Sequence, residues 1–260
     1  MAATAPSVVG TRGYREFQPS PKFAAHIECF WLHRTEAPVR NYRVLPDGCS
    51  DIIFEQPARE YGGLALIGTM TRAKAFDIPP RQLTFGVRFR TGMAAKCIRV
   101  PGPLAMDQAI PLADVWKPSA VRGLLEQLSE SGSPQNSIVR FEAALVDPAP
   151  LDGVDKALAW LAECNGQVSI DGLASGAGLS ARQFRRLCIA RTGLSPKHLA
   201  RVLRFRHAAS FAGAPHRDWA GVAVDCGYYD QAHLINDFRE LTGVPPAQFT
   251  SLNVSALARR

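Results

Sequence analysis

Between residues 10 and 110 the apolar positions come in short runs broken by turn residues: HIECFWLHR, RVLPDGCSDIIFE, YGGLALIGTM, RQLTFGVRFRTG and AAKCIRVPG. Their length and spacing predict the strands of an antiparallel barrel or sandwich. In FGVRFRT the alternation is strict, with Phe85, Val87 and Phe89 on one face and Arg88 and Arg90 on the other. From about Pro111 the period becomes helical. Val121, Leu124, Leu125 and Leu128 form one stripe and Ile138, Phe141 and Leu145 another, which predicts helices packed on the sheet or on a second copy. Asp147-Pro-Ala-Pro-Leu-Asp-Gly153 gathers proline and small residues between two helical patterns and is read as a linker. Beyond it the pattern is helical nearly to the end, where SLNVSALARR is expected to fray. The expected class is α+β with two domains: a β-rich unit over residues 1–110, a helical segment over 111–148 that packs or dimerises, and an all-α unit over 149–260.

Residues 170–188, IDGLASGAGLSARQFRRLC, meet each demand of two helices crossing through a tight turn. Ala174 supplies a small residue where the helices touch, and Gly178, four places on, supplies the freedom the turn requires. Leu173, Ala177, Leu179, Phe184 and Leu187 fall at the apolar steps. Ser180 is the expected N-cap of the second helix, with Gln183 completing a capping box. With Phe184, Leu187 and Cys188 turned inward, Arg182, Gln183, Arg185 and Arg186 remain outward. These side chains suit base edges, arginine pairing with guanine and glutamine with adenine, while Ser180 at the helix N-terminus suits a phosphate.

A second copy follows in WAGVAVDCGYYDQAHLINDFRELTG, where Ala223 and Gly227 repeat the four-residue step through a turn one residue longer. Asp230 is the expected N-cap, and Leu234, Phe238 and Leu241 the buried stripe. Gln231, Ala232, His233, Ile235 and Asn236 form its outward face, with Arg239 the basic residue there and Asp237 and Glu240 beside it, so weaker binding is expected; His233 reads equally as a core or capping residue. Between the copies, Ser195 (N-cap), Pro196 and Gly213 delimit a connecting helix whose buried stripe is Leu199, Val202, Leu203 and Ala209. Lys197, Arg201 and Arg204 line another face, expected to lie along a phosphate backbone, as is Arg191. A connector of about 18 residues spans about 27 Å, against about 34 Å between successive major grooves of B-DNA.

Charge sharpens this reading. The 260 residues carry 30 Lys+Arg and 23 Asp+Glu, a net +7. Residues 172–217 hold nine basic side chains (Arg182, Arg185, Arg186, Arg191, Lys197, Arg201, Arg204, Arg206 and Arg217) and no acid. Such a field attracts a polyanion and releases its counterions, although like charges also occur on plain solvated helix faces. At 47% hydrophobic the composition excludes a disordered tail protein. No apolar run approaches the roughly 18 residues of a membrane span, and the start of the chain lacks a signal-peptide pattern, so a cytoplasmic location and no membrane partner are expected. Cys29, Cys49, Cys97, Cys164, Cys188 and Cys226 form no C-x-x-C pair and read as reduced, mostly buried thiols.

Residues 155–250 resemble the DNA-binding domain of AraC/XylS-type bacterial transcription regulators. The most specific part is VAVDCGYYDQAHLINDFRELTGVPPAQF, with its Gly, aromatic, Asp-Gln, His, Phe, Gly and Pro. Ile235, Asn236, Asp237 and Glu240 depart from it, at positions where many members carry basic or small polar residues. The resemblance implies two helix-turn-helix units joined by a central helix and bound to a promoter. PDGCSDIIFE, FGVRFRTG and IPLADVW resemble the sensor half of an AraC-type subgroup of unassigned ligand, which implies a cupin-like β-barrel followed by helices that dimerise. The partners implied are double-stranded DNA, a small-molecule effector, a second copy of the chain and, for an activator, RNA polymerase.

An enzyme is not expected. His26 and His33 are the only histidines of the expected barrel and, seven residues apart, fall on opposite faces if both lie in one strand, so neither a metal site nor another cofactor is expected. Cys97, beside Lys96 and Arg99, reads as a buried structural thiol rather than a reactive one. Arg88 and Arg90 are read as a solvated outer face; the alternative is that they line, with Trp31, a pocket for an anionic molecule. Three classes stay open at this point: a sequence-specific regulator, an architectural DNA-binding protein of low specificity, and an enzyme fused to a DNA-binding domain.

Overall fold

A computed structural model describes residues 13–58, 62–213 and 218–249; the expected frayed tail and Arg217 lie outside them. The strands are β1 Tyr14–Phe17, β2 Ile27–Arg34, β3 Val39–Val44, β4 Ser50–Gln56, β5 Leu64–Ile67, β6 Lys74–Ile78, β7 Leu83–Phe89 and β8 Ala109–Pro111. They pair antiparallel in a six-stranded sheet of order β1-β2-β7-β4-β5-β8 and a two-stranded sheet of β3 and β6. Among the described residues no ladder joins these sheets into a closed ring. Four of the five expected strand runs contain strands. The fifth, AAKCIRVPG, instead holds the short helix α1 Ala94–Ile98, followed by α2 Gly102–Ala105.

One face of the large sheet is apolar, with Phe30, Ile52, Phe54, Phe85, Val87 and Phe89 all buried. Helices α3 Pro118–Ser129 and α4 Pro134–Ala144 cover it with Val121, Leu124, Leu128 and Phe141. The Phe141 ring stacks on Phe85 at 5.8 Å between centroids. These helices therefore pack on the sheet, the first of the two expected placements. The other face carries Trp31, whose ring lies over Gly86, where a β-carbon would stand 2.3 Å from it. Tyr42 of β3 stacks on His33 of β2, which brings the small sheet over that face.

Residues 146–152 form no regular element and lead into a second hydrophobic core built from helices. These are α5 Gly153–Glu163, α6 Ile170–Gly176, α7 Ala181–Thr192, α8 Pro196–Ser210, α9 Trp219–Asp225, α10 Gln231–Thr242 and α11 Pro246–Phe249. Helix α8 runs through the middle of this core, with Leu199, Val202, Leu203 and Phe205 fully buried. Its 15 residues span about 22 Å, shorter than the expected connector because the chain tightens into a 3-10 turn at Phe211–Gly213.

Candidate nucleic-acid interface

The pair α6–α7 is a helix-turn-helix. Ala174 is buried where the helices touch, and Gly178 takes φ +70 with open space around it, so the turn needs glycine for its backbone angle and not for room. Ser180 caps α7, its hydroxyl accepting from the Gln183 N–H while the Gln183 side chain accepts from the Ser180 N–H at 2.9 Å. Phe184 and Cys188 are buried, Leu187 is half-buried, and Arg182, Gln183, Arg185 and Arg186 all face solvent. These four side chains and Ile189 border an open groove of about 600 Å³.

The cap alters two expected roles. The Gln183 carbonyl oxygen also accepts from the Ser180 hydroxyl at 2.8 Å, so that hydroxyl is not free for a phosphate and Gln183 has only its amide N–H groups to offer. Bidentate pairing with adenine, which needs both ends of the amide, conflicts with the capping box.

The pair α9–α10 repeats the arrangement. Ala223 is buried, Gly227 takes φ +72, and Asp230 caps α10 by accepting from the His233 N–H at 2.7 Å. Gln231, Ala232, His233, Asn236 and Arg239 are exposed and Ile235 is half-buried. His233 is thus not a core residue; its ring meets the edge of Tyr228 at 5.1 Å. Phe238 anchors the unit against Phe205 of α8, Trp219 of α9 and Phe249 of α11, at 5.0 to 5.5 Å between centroids.

The basic face expected along α8 is divided. Lys197 is exposed. Arg201 bonds Asp237 at 2.7 Å and also Glu240, both on α10. Its guanidinium joins α8 to the second unit and is not offered to a phosphate. Arg204 lies over the Tyr228 ring at 5.7 Å. Arg191 on α7 bonds Asp155 at 2.9 Å and Asp152 at 2.7 Å, so it too is withdrawn from the expected phosphate set. The acids that take up these two arginines lie outside the all-basic stretch in sequence. Asp152 and Asp155, which also cap α5 reciprocally, were legible as a capping pair, D-G-V-D, but not as partners of Arg191. Burial would raise the Asp152 carboxyl, yet the Asp155 N–H, Arg191 and Lys96 together hold it below the ordinary carboxylate range.

In the sheet domain the solvated reading of Arg88 is overturned. Arg88 is 4% exposed, bonded to Asp47 at 2.8 Å and Asp51 at 3.3 Å, and Asp51 also accepts from the Trp31 indole at 2.9 Å. Burial opposes the charge, but the two carboxylates hold the Arg88 guanidinium firmly protonated. These polar groups satisfy one another, so Trp31 and Arg88 do not present the anion pocket of the alternative reading either. Arg90 is exposed and donates to the Ala24 carbonyl at 3.0 Å. Cys97 is buried, and burial pushes its thiol up to about 11 against the pull of Lys96, as expected of a structural cysteine.

The two cores are in contact. Lys96 of α1 pairs with Asp155 of α5, Gly48 lies against Leu199 and Leu203 of α8, and the Arg43 side chain donates to the Thr242 carbonyl at 2.5 Å. A polar cleft of about 500 Å³ between them is bordered by Arg72, Asp107, His198 and Glu240, among others.

Residues 173–251 match a family described as a helix-turn-helix domain, and residues 15–111 match a domain of unknown function, DUF6597. No curated protein matches the chain. Among solved structures, the DNA-binding domain of the global transcriptional factor AdpA, in complex with a target DNA, is 26% identical, covering 39% of this chain and 92% of that one at a TM-score of 0.36. An AraC-type regulator from Chromobacterium violaceum is 20% identical, covering 38% and 89% at 0.36. An apo form of a ToxT variant from Vibrio cholerae is 8% identical, covering 91% and 99% at 0.43.

Proposed function

We propose that this chain, whose C-terminal half is an AraC-type double helix-turn-helix domain and which is accordingly a DNA-binding transcription regulator, reads a specific operator by setting α7 and α10 into consecutive major-groove segments. One observation carries the reading: Arg182, Arg185 and Arg186 stand exposed on the first turns of a capped helix, while the acids of the molecule take up Arg191 and Arg201 instead. Arg182 and Arg185 are the base readers, assisted by Arg186 and the amide nitrogen of Gln183. Lys197 contacts phosphate. The second unit adds Gln231, Ala232, His233, Asn236 and Arg239, and binds more weakly because Arg239 is the basic residue on its exposed face. The linker over residues 146–152 divides reader from sensor. The protein works in the cytoplasm without catalysing a reaction, and the sheet domain carries the response to a small molecule; a second copy and RNA polymerase are the further partners of this reading.

Selection of bound fragments from a random DNA pool tests it. The enriched sequence should be bound roughly 10³-fold or more tightly than random DNA. Arg182→Ala or Arg185→Ala should lose roughly 1 to 3 kcal/mol on that sequence and relax the preference at one position. Equal loss on selected and random DNA would favour the architectural reading instead.

A further inference from the structure

Among the described residues the N-terminal domain touches the C-terminal ends of both recognition helices and the helix that connects the two units. The last carbonyls of a helix have no intrahelical donor. At the end of α10 the N-terminal domain supplies donors: Ala73 N–H bonds the Leu241 carbonyl at 2.7 Å and Arg43 Nη1 bonds the Thr242 carbonyl at 2.5 Å, placing a cation where the helix dipole favours one. At the end of α7 the backbones meet, since a β-carbon on Gly102 would stand 2.3 Å from the Gly193 nitrogen. There Asp155, with no exposed surface, holds Arg191 of α7 and Lys96 of α1 at once. A further contact is Gly48 on the connecting helix, α8.

None of these contacts covers the reading faces. Gln183 lies ten residues before Gly193, which is about 15 Å along a helix. Arg182, Arg185, Gln231 and Asn236 remain exposed while the domains are docked. The docked arrangement is therefore compatible with reading DNA, and it ties both recognition helices and their connector to one domain.

We propose that the N-terminal domain is a splint that sets the spacing and angle of the two readers, with Arg43 and Lys96 as positioning residues for DNA recognition. The inference rests on the DNA-reading function above. When two readers are linked, the second binding event is intramolecular, and stiffness of the link raises its effective concentration at one spacing and lowers it at others. Arg43 and Lys96 thus act on a site with two boxes and not on either box alone.

The test uses the full chain and the fragment selected from the random pool, with versions in which the two boxes are moved by one or two base pairs and a version keeping one box. Arg43→Met and Lys96→Met should each weaken two-box binding about tenfold and flatten the dependence on spacing, while single-box binding stays as in the wild type. Arg43→Lys, which keeps a cationic donor, should restore most of the loss. Variants that unfold at the wild-type temperature and keep its affinity and spacing preference would overturn the splint. Tighter two-box binding would also overturn it, by making the contact inhibitory, and so would equal loss on every fragment. A wild-type chain that selects no fragment would overturn the reading of function and the splint with it; selective wild-type binding with unchanged variants overturns the splint alone.

Discussion

At the scale of the residue, arginine is the side chain whose role depends most on what lies opposite. Arg88, Arg191 and Arg201 were all legible as basic positions on a defined face, and alternation placed Arg88 correctly opposite Phe85, Val87 and Phe89. Alternation says nothing of what covers the second face, and there Asp47 and Asp51 wait in a neighbouring strand and its approach. Local backbone demands are more readable, because they depend on the residue itself. Gly178 is the clearest case: its φ of +70 is costly for any side chain, yet no atom beyond its own chain neighbours stands within 4 Å of where a β-carbon would be. Gly178→Ala should therefore destabilise the domain by about 1 to 2 kcal/mol through backbone strain alone, and Gly178→Asn by less, since asparagine tolerates the left-handed region. Urea unfolding of the two variants measures this; equal losses would mean that the turn resists side-chain bulk and not the angle.

At the scale of the element, the helices of the second half were legible almost to their caps, because Ser180, Ser195 and Asp230 each precede a well-phased apolar stripe. The first half was harder. AAKCI reads as a short apolar run, and at that length period cannot separate strand from helix; its alanines favour the helix that forms. Strand β6, KAFDI, is mostly exposed, so it lacks the apolar signal that marks a strand. Packing between helices was not legible at all, and it decides what Arg201 does. Because Asp237 is buried and bonded to Arg201, Arg201→Met should leave a carboxylate without its partner and cost roughly 1 to 3 kcal/mol of stability. Arg201→Met with Asp237→Asn should recover part of that loss. An even loss of DNA affinity with stability unchanged, as the spacing along the helix alone predicts, is the result that would restore Arg201 to the phosphate contacts; equilibrium unfolding and DNA titration of the same samples separate the two.

At the scale of the whole molecule, the docking of the two cores had no sequence signal beyond glycines whose reason was hidden: Gly48 and Gly102 permit approaches that only the assembled chain reveals. Burial of histidines in both domains and at their junction sets a response to acid. His33 lies in the sheet domain against Tyr42, His198 borders the cleft between the domains, and His207 lies on the connecting helix. Burial lowers all three below the ordinary histidine value of 6.5, with Arg201 adding to the effect at His198 and Arg206 at His207. Each imidazole is therefore more readily protonated in the unfolded chain than in the folded one. Over the interval between the two values the unfolded state binds more protons, so stability rises with pH there. Above about pH 7.5 the histidines are neutral in both states and contribute no slope. As pH falls through about 6.5 and below, the unfolded chain takes up protons that the folded chain refuses, and stability falls until the folded histidines titrate too. The midpoint of thermal unfolding should accordingly decline as pH falls from about 7.5 to 5.5. Only one of the three groups sits at the domain junction, so His198→Gln should reduce the decline without abolishing it. A midpoint that rises on acidification would show that the histidines gain partners on folding, contrary to the burial of their rings.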